Sequence, residues 1–443
     1  MAVYEDREAF IPYRRTDIIE LCIKDGQLSD ADAQKFRDLC QILSAYYHFK
    51  FYHTLERLKD NFAPFNPDAD TKVRIEPTPA QKAKMENQLV ADFNNLMERA
   101  NYVSLSKASL QRAFQEKSLI ELKTEVDFND FDQMVCYCRG DIYQITWVKK
   151  FFFKKVERTI NLFERVALLI KCKDKSYFEA KNIKIDTLNF TPGKMYVYLY
   201  KNIPKLDIDL LFPNVKISMT WKDRLLFGIP AIGAGISLVV KILPKLLLII
   251  AVILFVTVGP LPIEELSVKE EDIKNVMPIL VAMLSLLVTL GGFAFKQYSS
   301  YQSKQIKFQK DVTETLFFRN MATNSGVFQS LIDAAEEEEC KEIILVYYHL
   351  MISAVPLTPE ELDNNIEEWM NNKFDTKIDF DINGPLNNLG KIRGKITNDR
   401  ENEATPKEIP LLSYNRDGCC QVLSIDEAKQ IIDYVWDNAF QYA

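Results

Sequence analysis

One stretch of this chain narrows its possible folds more than any other. Val276–Phe295 (VMPILVAMLSLLVTLGGFAF) is 20 consecutive residues without a charged side chain. At roughly 1.5 Å of rise per residue, such a helix crosses the ~30 Å hydrocarbon core of a bilayer. A buried core helix is the alternative, but one of that length rarely stays apolar on every side. Upstream, Leu225–Val258 is apolar over 34 residues, interrupted only by Lys241, Pro244 and Lys245. Ile242–Val258 is the cleanest span there, with the lysines at its start snorkelling to the headgroups. Leu225–Val240, which carries Gly228, Gly233 and Gly235, reads as an interfacial or re-entrant segment, or as the start of one long tilted helix. The pattern predicts a two-helix transmembrane hairpin over residues 225–295.

Charge placement gives that hairpin an orientation. Residues 1–224 carry 36 basic and 32 acidic groups, residues 225–295 carry 4 and 5, and residues 296–443 carry 15 and 25. The loop Gly259–Asn275 is acidic, with Glu264, Glu265, Glu270, Glu271 and Asp272. Lys216, Lys222 and Arg224 precede the apolar region, and Lys296, Lys304, Lys307 and Lys310 follow it. By the positive-inside rule both flanks lie on the cytoplasmic or matrix side and only the short loop faces out. The first ten residues have neither a basic nor an apolar signal region, and their acidic residues argue against a mitochondrial transit peptide.

Either side of the apolar region the sequence reads as α+β. Residues 1–124 form a helical N-terminal domain. Ser29 is its clearest N-cap, and Phe36, Leu39, Cys40, Leu43, Tyr46 and Tyr47 make one apolar stripe. Pro64, Pro67, Pro77 and Pro79 punctuate a connector before a second helical stretch over 80–120. Residues 125–224 form a mixed α+β domain, with β-rich runs at 126–128, 134–137, 165–171 and 195–200. Turns are expected at Arg139-Gly140-Asp141 and Thr191-Pro192-Gly193. The acidic C-terminal domain, 296–443, carries capping boxes at Thr358–Glu361 and Ser424–Glu427. Its order of helix, helix, strand, short helix, strand, helix predicts a winged-helix-like fold.

Chemistry-bearing patterns are sparse. Eight scattered cysteines and three histidines offer no C-x-x-C pair, so reduced thiols packed as small hydrophobes are expected, with no metal and no cofactor. Asp379–Gly384 fits half of a calcium loop, but its twelfth position is Gly390, so a strand running into a turn is the better reading. Glu336–Glu339 spreads around a helix and reads as a solvated face. No nucleophile motif or H-E-x-x-H occurs. In the second span Ala282, Ser285, Thr289 and Gly292 recur at intervals of three and four, a small-residue stripe along which another helix can pack closely. The most suggestive surface motif is Trp147–Arg158, where Lys149, Lys150, Lys154, Lys155 and Arg158 flank Phe151, Phe152 and Phe153. Such a segment can adsorb on an anionic leaflet. Solvated lysines on a linker or strand are the plain alternative, and RNA binding fits poorly with a net charge of -7.

Several runs in combination resemble a known family. They are Ile11–Asp17 (IPYRRTD), Val126-Asp127-Phe128 with Phe131, Arg139-Gly140, Glu164-Arg165-Val166, Lys201–Lys205 (KNIPK), Leu211–Asn214 (LFPN) and Asp223–Leu226. Together they resemble the family of transmembrane protein 143, whose shared region is a domain of unknown function. The resemblance implies a membrane protein without an established activity, so no catalytic or binding residue is carried over. Some members are mitochondrial; the N-terminus here favours a bacterial-type plasma membrane instead.

The expectation is a multi-pass membrane protein with both large domains on the cytoplasmic side, acting by interaction rather than catalysis. The bilayer and a protein partner or second copy are its expected partners; nucleic acid is not. The alternative is a membrane-bound enzyme with a site between the soluble domains, where Arg14, Arg15 and Arg139 converge. A channel or transporter would need more polar residues in the spans than Ser285 and Thr289.

Overall fold

The computed structural model describes residues 3–4, 9–68, 73–115, 123–150, 154–218, 316–375, 377–396 and 408–439, with scattered positions from 288 to 313. For residues 3–4, 112–115, 123, 144–150, 154–158 and 217–218 only the backbone is described. The expected hairpin lies outside the described residues except at its last few positions. So do Ala282, Ser285 and Thr289 of the small-residue stripe. Among the described residues no helix is long and apolar enough to cross a membrane.

By contact the chain divides into two units. The first comprises Met1–Glu116, Asp127–Ile208 and Phe318–Ala443, and the second Lys117–Val126 with Asp209–Phe317. In the second unit a short antiparallel pair joins β3 (Lys123–Glu125) to β7 (Lys216–Ser218).

The first unit is α+β, as the residue patterns predict. Its N-terminal helices are α1 (Arg15–Asp25), α2 (Asp30–Phe62), α3 (Pro79–Arg99) and α4 (Lys107–Gln115). Ser29 caps α2 by accepting the Asp32 backbone N–H at 3.2 Å, and the stripe from Phe36 to Tyr47 is buried. A six-stranded antiparallel sheet follows. Its strands are β1 (Val3–Tyr4), β2 (Val103–Ser104), β4 (Phe131–Lys150), β5 (Lys154–Cys172), β6 (Met195–Pro204) and β8 (Asn320–Thr323). The order is β1-β4-β5-β6-β8, with β2 also on β4. Val166, Leu168 and Ile170 are as buried as Ala167 and Leu169. That explains a continuous apolar run rather than an alternating one, since β5 is covered on both faces.

Two local expectations are corrected here. Residues 126–128 are not a strand: Asp127 caps a 3-10 turn, its side chain accepting the Asn129 N–H at 3.0 Å. Arg139-Gly140-Asp141 is not a turn but lies within β4, where Gly140 takes φ +71°. A Cβ there would stand 2.7 Å from the Cβ of Glu164 on β5, so only glycine fits this point of close approach. The turn at Thr191–Gly193 forms, with Gly193 at φ +75°.

After α5 (Lys175–Ala180), β6 and β8, the chain enters α6 (Ser325–Ile352), then α7 (Pro359–Phe374) and α8 (Asn383–Lys391). Two short hairpins follow. One pairs β9 (Arg393–Gly394) with β10 (Ile409–Pro410), the other β11 (Leu412–Tyr414) with β12 (Cys420–Val422). The last helix is α9 (Ile425–Asp437). Both capping boxes form, at Thr358 with Glu361 and at Ser424 with Glu427. The acidic run Asp379–Gly384 is not a strand running into a turn: its last two residues open α8, and Asp381 Oδ1 accepts the Asn383 N–H at 3.1 Å. Among the described residues no cluster of metal-ligating side chains occurs, and all eight cysteines are free.

Helix α6 is the axis of this unit. It packs against α1, α2, α3, α7, α8, β6, β8 and β12. Every residue from Glu338 to His349 is buried. The core draws on residues 11–102, 137–199 and 327–432, so the three stretches distinguished in the sequence contribute to one core.

Candidate functional site

From Glu338 to His349 α6 is surrounded on all sides, so the charged residues there must find partners inside. The run Glu336–Glu339 is therefore not the solvated face its composition suggests. Its four carboxylates do spread around the helix, and each meets a different element. Glu336 Oε2 lies 2.9 Å from His48 Nδ1 on α2. Glu337 Oε1 accepts the Arg15 backbone N–H at 3.0 Å, at the start of α1. Glu338 Oε2 accepts the Ile11 N–H at 3.0 Å. Glu339 takes a two-point contact from the Arg99 guanidinium on α3, with Nη2 at 3.0 Å, and that guanidinium stacks 4.0 Å over the Phe51 ring.

One turn further on, Lys341 completes the arrangement. Its Nζ donates to Glu338 Oε1 and to the Ile11 carbonyl. Side chains at i and i+3 of α6 thus satisfy both backbone groups of Ile11, as a neighbouring strand would. Glu342 Oε1 accepts from Asn101 Nδ2 at 2.8 Å, and the same amide donates to the Ala9 carbonyl at 3.0 Å. Burial pushes the Glu338 and Glu342 carboxyls up from the usual range; for Glu338 the Lys341 ammonium opposes the effect, and for Glu342 the Asn101 hydrogen bond does.

Arg139 approaches the same place from β4. Its guanidinium lies 3.8 Å over the Phe10 ring and 4.8 Å from the Tyr102 ring, and Nη1 donates to the Ala100 carbonyl at 3.4 Å. Among the described residues its buried Nε has no hydrogen-bond partner. Between these groups is an open cavity of about 380 Å³, lined by Phe10–Arg14, Arg139, Asp333, Ala334, Glu337, Glu338 and Lys341. Its charged lining is two guanidinium groups (Arg14 and Arg139), one ammonium (Lys341) and three carboxylates (Asp333, Glu337 and Glu338).

Of the residues expected to converge, Arg14 and Arg139 line this cavity. The Arg14 guanidinium is held by Asp17, with Nη2 to Oδ1 at 2.7 Å. Arg15 is drawn instead to Glu337. Missed in the sequence were Arg99, Asn101, Glu338, Lys341 and Glu342. The available signal was Glu336–Glu342 running without a break into the apolar Ile343–Tyr348, which marks a helix entering a core.

The segment Trp147–Arg158 is the end of the β4–β5 hairpin. Thr146 pairs with Arg158, Trp147 with Glu157, Lys149 with Lys155 and Lys150 with Lys154. From Gln144↔Ile160 outward no third strand joins among the described residues, leaving a two-stranded ribbon roughly 20 Å long. Phe151, Phe152 and Phe153 lie outside the described residues. Gly292, the one described member of the small-residue stripe, is helical, and a Cβ there would meet nothing within 4 Å.

A family model described as a protein of unknown function (DUF3754) matches residues 163–326. The match begins in β5, takes in β6 and the apolar region, and ends at the first residues of α6. No solved structure matches the chain.

Proposed function

We propose that this chain is a multi-pass membrane protein whose apolar region, residues 225–295, forms a two-span hairpin. On this reading the first unit stands on the cytoplasmic face and works by binding. The observation that carries the proposal is the pairing of β6 with β8. The chain leaves the first unit at Ile208, re-enters it at Phe318, and lays Leu199 opposite Ala322 in the same sheet. Strands that pair across the insertion lie on one side of any bilayer, so an apolar region that crosses one does so an even number of times. Val276–Phe295 supplies one crossing and Ile242–Val258 the other.

The β4–β5 ribbon fits the same picture. Two successive Lys–Lys cross-strand pairs cost stability in water, and an anionic leaflet removes that repulsion. Residues 325–437 form the part that recruits a protein partner: three helices, two short hairpins and a closing helix, without, among the described residues, the strand that a winged-helix-like order places before the short helix. The kinship with the transmembrane protein 143 family belongs to this proposal. Two of its motifs, Ile11–Asp17 and Arg139-Gly140, contribute to the same cavity.

Single cysteines placed at Ser267 in the loop and at Ser413 in β11, in an otherwise cysteine-free chain, test the topology in intact cells. A membrane-impermeant maleimide should label position 267 and spare position 413. Labelling of both or of neither overturns the hairpin.

The convergence of Arg14 and Arg139 favours one second reading, a small-molecule site at the 380 Å³ cavity. Its test is a ligand-dependent rise in Tm that Arg139→Gln abolishes.

A further inference from the structure

On the surface of the first unit, α2, α6 and α9 enclose an open groove of about 570 Å³, whose walls include His48, Phe49, Tyr52, Glu336 and Trp436. The rings of Phe49 and Trp436 lie 5.6 Å apart at 54°. Tyr52 and Trp436 are large hydrophobics left 52% and 37% exposed, which marks a surface available to a ligand. Within this aromatic wall stands one carboxylate, Glu336, only 16% exposed and touched by the largely solvated His48.

The combination selects a ligand. An apolar group entering the groove would strip water from the Glu336 carboxylate without replacing it, and an anion would be repelled. A compact inorganic cation holds its hydration shell too tightly to profit from aromatic faces. An alkylated ammonium group is weakly hydrated, is drawn to the faces of Trp, Tyr and Phe, and neutralises the carboxylate. The same helix already places a cation this way, with Lys50 Nζ 4.6 Å over the Tyr46 ring. We propose that this groove binds an organic ammonium ion, quaternary or methylated, with Phe49, Tyr52 and Trp436 as its wall and Glu336 as its counter-charge. The inference is independent of the membrane reading.

The test is calorimetric titration of the full chain, in a maltoside detergent, with tetramethylammonium, choline and the uncharged choline isostere 3,3-dimethylbutan-1-ol. Saturable binding of both cations is expected, with the neutral isostere weaker by about 5- to 30-fold. Glu336→Gln should bring the cations down to the level of the isostere. Tyr52→Ala, at a side chain half in solvent, should weaken all three while the thermal melt stays unchanged. Replacing the detergent by nanodiscs of phosphatidylcholine separates two sources of the same chemistry. Displacement of tetramethylammonium assigns the groove to a lipid headgroup, and undiminished binding assigns it to a free solute. Equal binding of the isostere, or cation binding indifferent to both substitutions, overturns the proposal.

Discussion

Glu338 accepts the backbone N–H of Ile11 at 3.0 Å, across a separation of 327 residues. With Lys341 on the Ile11 carbonyl, it ties the N-terminal segment to the central helix through a buried ion pair rather than through apolar packing alone. Such a pair adds little net stability over an apolar substitute, but removing one member strands the other charge. Lys341→Met is therefore expected to cost about 3–5 kcal/mol in denaturant unfolding. Adding Glu338→Leu should recover a large part of that loss, although the Ile11 backbone groups stay unpaired. A double variant no more stable than Lys341→Met would show that the pair is not the unit that matters.

Glu342 gives the protein a base-sensitive limb. Its carboxyl is pushed well above its ordinary value by burial, and Glu338, Glu339 and Asp381 reinforce the shift. The folded state therefore holds a proton that the unfolded state releases first. This contribution to stability is complete below about pH 4.5, the unfolded value, and is lost as pH rises through the folded one. Glu342→Gln keeps an oxygen for Asn101 and removes the titration. Its urea midpoint should exceed that of the parent at pH 8, with the gap closing toward pH 5. Parallel pH profiles for the two proteins would refute the assignment.

His349 supplies the opposite limb. Burial against Tyr348 and Trp369 lowers its pKa from 6.5 to about 4, against the pull of Asp25. The unfolded chain takes up a proton that the folded chain resists. Stability is thus complete above pH 6.5 and lost as pH falls toward 4, by up to about 3 kcal/mol. His349→Phe should flatten that limb and leave the melt at pH 7.5 nearly unchanged. A variant that still loses the same stability between pH 6.5 and 4.5 would place the acid sensitivity elsewhere, for instance at Asp25 and its partners Trp369 and Lys373.

What could be read in the sequence followed how local its cause is. The Ser29 cap, the Thr358 and Ser424 capping boxes and the α2 stripe depend on residues within a turn or two, and they stand where the spacing puts them. Gly140 was misread because a positive φ serves a turn and a crowded strand equally, and only the cross-strand neighbour Glu164 decides between them. Glu336–Glu339 was misread for a related reason. A helix pattern reveals how charges are distributed around the cylinder, but not that neighbouring elements close over Glu338 and Glu339. The convergence of Arg14 with Arg139 was legible as chemistry, while Arg15 turned to Glu337 because α6 supplies a carboxylate beside its backbone N–H. The apolar walls of the aromatic groove come from helices far apart in sequence, so no local spacing announces them.

The β4–β5 ribbon allows a final expectation to be drawn from register alone. Lys149 and Lys150 face Lys155 and Lys154 across the hairpin, so four like charges occupy two adjacent rungs at the end beside residues 151–153. A surface of anionic lipid relieves that repulsion by roughly 1 kcal/mol per lysine, and the effect fades within a Debye length of about 8 Å at physiological salt. A chain in which residues 219–317 are replaced by a flexible Gly/Ser linker separates this contact from any membrane-spanning segment, because β6 and β8 are already neighbours. This shortened protein should sediment with phosphatidylglycerol vesicles at 50 mM salt and much less at 500 mM. Reversing the four lysines to glutamate should abolish sedimentation without lowering Tm, since two Lys–Lys rungs become two Glu–Glu rungs of equal repulsion. Binding that survives charge reversal, or that is insensitive to salt, would exclude the ribbon as the lipid-facing element.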